Sequence, residues 1–166
     1  MRYGVLALVL AATSGAVVAQ DQPSAWGFFE AEGGRNGASV RSADGSQLVL
    51  KCDKPGRREV HGLILPANAK LSAPTTRPVS RGITFRFDEE SPKTENWGFF
   101  ETYAIAQGKT TDRALARFVN ELRGASKVNM RLDPAIGTEV ELDFDVTGAT
   151  EAIAKVYELC QDTPPT

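Results

Sequence analysis

The sequence predicts an α+β domain, a mainly antiparallel β-sheet or sandwich with two amphipathic helices and one disulfide. Three observations carry this. Apolar and polar residues alternate at a period of two over most of the chain. Gly, Asp and Pro turn residues separate those segments at short intervals. A repeat of about 3.6 residues occurs in only two places, both in the second half.

Taken in order, Trp26 to Ala31, Ala38 to Arg41, Gln47 to Asp53 and Glu59 to Leu65 read as strands. Gly33-Gly34, Asp44-Gly45 and Pro55-Gly56 lie between them as turns. Pro66, Pro74 and Pro78 cannot donate to a ladder, so the stretch from Pro66 to Arg81 reads as a loop with at most an edge strand. Ile83, Phe85 and Phe87 alternate with Thr84, Arg86 and Asp88 as a half-buried strand, Glu89 to Glu95 reads as a polar turn, and Trp97 to Ala106 as the next strand. From Thr111 onward, Leu115, Phe118, Val119 and Leu122 line one face of a helix that Thr110 or Thr111 can cap and Gly124 stops. Ile153, Val156, Tyr157 and Cys160 repeat that spacing after Thr147-Gly148.

Between the helices lies the clearest hairpin. Val128, Met130 and Leu132 alternate with charged and polar residues, and so do Val140, Leu142, Phe144 and Val146. Pairing Leu132 with Val140 sets Arg131 opposite Glu141 and Lys127 opposite Asp145, each pair contributing about 0.2 to 1 kcal/mol on the wet face. Strict alternation is what a solvated sheet face produces, so Glu139, Glu141, Asp143 and Asp145 read as that face and not as a cation site.

The start of the chain has the form of a secretory signal peptide over residues 1–19: Arg2, an uncharged apolar run from Gly4 to Ala12, then small residues up to Val17-Val18-Ala19. The apolar run falls short of the ~20 residues a membrane anchor needs, and no transmembrane span is expected after signal removal. Removing residues 1–19 from the 166-residue chain leaves 147, read as a single β-rich domain over 20–161 with a flexible tail at 162–166. Without Arg2, 18 basic residues stand against 21 acidic ones, a formal charge of -3 with no basic cluster, so nucleic acid is not an expected partner. Export carries Cys52 and Cys160 into an oxidising space, and both fall on apolar positions, so a structural bridge is expected. Closing about 108 residues would stabilise the fold by ~4 to 5 kcal/mol through the unfolded chain. A redox-active pair would instead need C-x-x-C or an exposed thiol.

Chemistry-bearing patterns are sparse. His61 is the only histidine, beside Arg57, Arg58 and Glu59, and reads as solvated or capping. No phosphate loop, no G-x-G-x-x-G and no G-x-S-x-G is present, so no metal, cofactor or catalytic group is assigned. One pentapeptide occurs twice, as Trp26-Gly27-Phe28-Phe29-Glu30 and as Trp97-Gly98-Phe99-Phe100-Glu101. It reads either as two related strands at equivalent places in the sheet, their aromatics in the core, or as an aromatic groove.

A Trp near the mature start, Asp44-Gly45 with Leu48, Leu50 and Cys52, then Phe85-Arg86-Phe87-Asp88 with Trp97, then Asp145 to Ile153 and a last Cys, resemble small exported proteins related to VasI, the type VI secretion-associated accessory family. The resemblance implies a periplasmic β-rich domain without known chemistry. It leaves the doubled pentapeptide unplaced. The resulting expectation is a non-enzymatic periplasmic or secreted binding protein of the bacterial envelope with a protein partner, Trp26, Trp97, Phe99, Arg86 and Asp88 being the candidate binding residues. An inhibitor of a lysozyme or protease falls within that class. The alternative is a small envelope hydrolase acting on peptidoglycan or a glycan through Glu89, Glu90 or Glu101.

Overall fold

The computed structural model describes residues 26–31, 35–52, 59–107 and 113–166. The signal-like segment 1–19, the turns at Gly33-Gly34 and Pro55-Gly56, and Thr110 and Thr111 lie outside the described residues. Among the described residues, nine strands form one open antiparallel sheet: β1 (Gly27–Ala31), β2 (Arg35–Arg41), β3 (Gln47–Cys52), β4 (Val60–Leu65), β5 (Val79–Phe87), β6 (Lys93–Phe99), β7 (Ala104–Gln107), β8 (Lys127–Leu132) and β9 (Val140–Asp145). Their order across the sheet is β1-β2-β3-β4-β7-β6-β5-β8-β9. Helix α1 (Ala114–Leu122) follows β7, and α2 (Ala149–Leu159) follows β9. The sheet is single, so the sandwich alternative gives way to two helices covering one face.

The period-two pattern sets that face. Leu48, Leu50 and Cys52 of β3, Ile83, Phe85 and Phe87 of β5, Val128, Met130 and Leu132 of β8, and Leu142 and Phe144 of β9 are all buried in one core with both helices. Burying a Leu, Val or Phe side chain contributes about 1.5 to 3 kcal/mol, so a register slip in any of these strands would lose several such terms at once. Helix α1 lies against β6 and β7, and α2 against β2 and β3. Gly62 in β4 makes room for α1: a Cβ there would stand 2.8 Å from Leu115 Cδ1 and 3.2 Å from the Trp97 ring. Around Phe118 the rings of Phe85, Trp97 and Phe87 gather at centroid distances of 4.9, 5.4 and 5.7 Å. The sheet also bends round, since the Trp26 indole N–H, just before β1, donates to the Val146 carbonyl just after β9 (3.3 Å).

Three local departures from the sequence reading have physical causes. The expected strand from Trp97 to Ala106 is two strands, β6 and β7, because Phe100 N–H donates to the Tyr103 carbonyl (2.9 Å) and closes a tight turn at Glu101-Thr102. The expected polar turn at Glu89 to Glu95 is shorter, β6 starting at Lys93, since β5 and β6 pair from Phe85↔Lys93 onward and the Thr84 and Thr94 hydroxyls share a hydrogen bond (3.0 Å). Arg113, in a left-handed conformation, is the N-cap of α1 and makes no side-chain capping bond, where a threonine cap was expected. Among the described residues no helix is long and apolar enough to cross a membrane.

Candidate functional site

Successive side chains of a strand face opposite ways, so Phe28 and Phe29 of β1 cannot both enter one core. Phe28 pairs with Ala38 on the helix-covered face, and Phe29 pairs with Gly37 on the other. Helix α2 reaches over the first ring, placing Lys155 Nζ 4.1 Å from its centroid, a contact worth about 0.5 to 1 kcal/mol at an exposed site. The second ring lies over Gly37, where a side chain would collide with it and would stand 2.7 Å from the Leu50 carbonyl oxygen. Phe28 stays 44% exposed and Phe29 37%, and Leu159, one turn along α2 from Lys155, is 42% exposed. Among the described residues β1 is paired with β2 alone, which leaves backbone donors and acceptors along its far edge open to another strand.

The opposite edge is built differently. β9 buries Leu142 and Phe144 and presents Glu141, Asp143 and Asp145 to solvent, a charged edge of the kind that resists strand addition. Of the two edges, only β1 sets exposed aromatic side chains beside its unpaired backbone.

The second pentapeptide copy occupies an unlike environment. Trp97 (2% exposed) and Phe99 (0%) lie in the core, Phe100 stacks on Tyr103, and Glu101 pairs with Lys70 at 2.6 Å. The two copies therefore do not hold equivalent places: one is at an edge, the other in the middle of the sheet.

The five candidate binding residues are not gathered together. Trp26, Trp97 and Phe99 are buried core members, Trp26 at the junction with the end of β9. Asp88, after β5, accepts the Ser126 and Lys127 backbone N–H groups at its Oδ1 (3.1 and 2.9 Å), so its carboxylate ties β5 to the start of β8. Arg86 is exposed on the outer face opposite Asn129. Sequence reasoning included Phe28 and Phe29 only as part of the repeat, and missed Lys155 and Leu159. The available signal was Leu159 itself, an apolar residue lying off the Ile153-Val156-Tyr157-Cys160 stripe of α2.

The acidic residues considered for hydrolysis are apart. Glu90 pairs with Lys93 (3.5 Å) in the β5–β6 turn, while Glu101 pairs with Lys70 in the β6–β7 turn. His61, expected to be solvated or capping, is buried (7% exposed) on the outer face between Lys51 and Gln107. No group of three or more His, Cys, Asp or Glu among the described residues is placed to hold a metal ion. Cys52 and Cys160 form the disulfide, their Cα atoms 5.7 Å apart, and both are buried. No protein-family model, curated protein or solved structure matches this chain.

Proposed function

We propose that this protein is a non-enzymatic binding or accessory protein of the bacterial envelope, working in the periplasm or beyond it, and that β1 is its contact surface. The observation that carries the reading is the edge itself: open backbone flanked by two exposed aromatic rings, while the other edge is charged. Strand addition takes affinity from main-chain hydrogen bonds and specificity from alternate side chains, and β1 offers both. The signal-like start and the buried disulfide support a place outside the cytoplasm. The resemblance to VasI-related proteins favours a secretion-associated role among the envelope roles open to such a domain.

The test is affinity capture from a periplasmic extract, comparing the wild type with Phe29→Lys. Phe29 is partly exposed and lies over Gly37 outside the core, so the variant should still fold, with a small loss of melting temperature at most, whereas a Trp97 variant would disturb the core. A partner held by the wild type and lost with Phe29→Lys is the expected result. Equal capture by both would move the contact away from β1, and capture by neither would reject the binding reading.

A further inference from the structure

Resting on the reading of β1 as the contact surface, we propose that its partner strand is β1 of a second copy, the two running antiparallel about a twofold axis at Phe29. A twofold normal to the sheet keeps the helix-covered faces of both copies on one side and makes the contact isologous. Centring the axis on Phe29 sets Phe28 of one copy opposite Glu30 of the other, since pairs in an antiparallel ladder have a constant index sum.

Two features of the monomer match this register. Lys155 stands over Phe28 on the helix-covered face, the position at which Glu30 of the second copy arrives, at a cross-strand spacing of about 5 Å between Cβ atoms. Leu159 serves the other half of the same pair. Its neighbour Cys160 is bonded to Cys52, whose Sγ lies 3.6 Å from the Asn36 carbonyl, and Asn36 is the β2 partner of Glu30. Leu159 therefore stands at the Glu30 end of the edge, where Phe28 of the second copy would cover its exposed apolar surface. On the outer face the two Phe29 rings meet across the axis. Each copy thus supplies a cation and an apolar residue on α2 and receives an acid and an aromatic from β1, so the complementarity is satisfied twice.

A five-residue strand pair is small beside the roughly 1,200 to 2,000 Å² of a standard interface, so the association is weak and shows only at high protein concentration. Sedimentation equilibrium of the protein purified from the periplasm should show a monomer–dimer equilibrium. Glu30→Lys or Lys155→Glu alone should weaken the dimer by roughly tenfold, because each reversal sets like charges together at two symmetric places. The double variant Glu30→Lys/Lys155→Glu should return near wild-type affinity; all three should remain folded, the two that carry Lys155→Glu melting slightly lower for the lost contact with Phe28. Register is read separately by oxidation: Phe29→Cys should form a disulfide-linked dimer, and Gly27→Cys should not. A protein monomeric up to about 0.5 mM, or a double variant no tighter than the single ones, overturns the proposal. Self-pairing can fail while capture of another protein through β1 succeeds, so the two readings are judged apart.

Discussion

Asp88 and Tyr157 show how single residues take their roles from what they touch. Asp88 has a left-handed backbone (φ 44°), a conformation that Asp tolerates better than most residues, and its carboxylate accepts the backbone N–H groups of Ser126 and Lys127. Its place in the Phe-Arg-Phe-Asp segment could equally have marked a binding residue; only the neighbouring backbone distinguishes the two. Tyr157 is buried on α2, and burial pushes its phenol up to about 12, with the Asp162 carboxylate adding to the rise and Arg123 opposing it. An unfolded chain loses that proton near its ordinary value of about 10, so between about pH 10 and 12 the unfolded state gains and stability falls as pH rises. Below that window the group contributes no pH dependence. Urea unfolding from pH 9 to 11.5 should therefore show a shallower decline for Tyr157→Phe than for the wild type, and parallel curves would contradict the burial of this ring.

At the scale of elements, the β8–β9 hairpin was legible to the residue. Leu132 pairs with Val140, Arg131 with Glu141 and Lys127 with Asp145: the alternating apolar face excludes a one-residue slip, which would expose it, and the turn length selects among the registers two residues apart that keep it buried. Which charges meet was less legible: Arg131 Nε lies 3.4 Å from Glu139 Oε2, on the turn side, and Asn129 Nδ2 donates to Asp143 Oδ1 (2.9 Å). A long side chain selects among several acids within reach, and the ladder does not decide for it. Arg131→Glu should thus be less stable than Arg131→Ala by about 0.5 to 1 kcal/mol in urea unfolding, since it meets Glu139 and Glu141 together; equal stabilities would show that neither acid is felt. Trp97 to Ala106 was illegible for a related reason, the β6–β7 turn being closed by backbone groups and lacking Gly or Pro to announce it.

For the whole molecule, the decisive closures join residues far apart in sequence. The disulfide spans 108 positions and fixes the end of α2 to the end of β3, and beside it Val60 N–H donates to Asp162 Oδ2 (3.3 Å). Trp26 joins the two extremes of the sheet through Val146. A Cys52→Ala/Cys160→Ala variant should melt roughly 10 to 15 °C lower than the wild type, from a loss of ~4 to 5 kcal/mol in a chain of this size. An unchanged melting temperature would mean that the cross-link does not restrict the unfolded chain as its span requires.

The sequence by itself determined the antiparallel strands, the two helices, the inward cysteines and the buried face of the hairpin, because side-chain alternation and turn chemistry are local and repeat at fixed periods. Tertiary structure alone decided the strand order, the single sheet in place of a sandwich, and the opposite fates of two identical pentapeptides. Trp-Gly-Phe-Phe-Glu carries the same propensities wherever it occurs; one copy has a strand on either side and α1 above it, and the other, among the described residues, has β2 on one side only. Burial depends on neighbours brought together by chain closure over long separations, and five residues cannot encode which neighbours those will be.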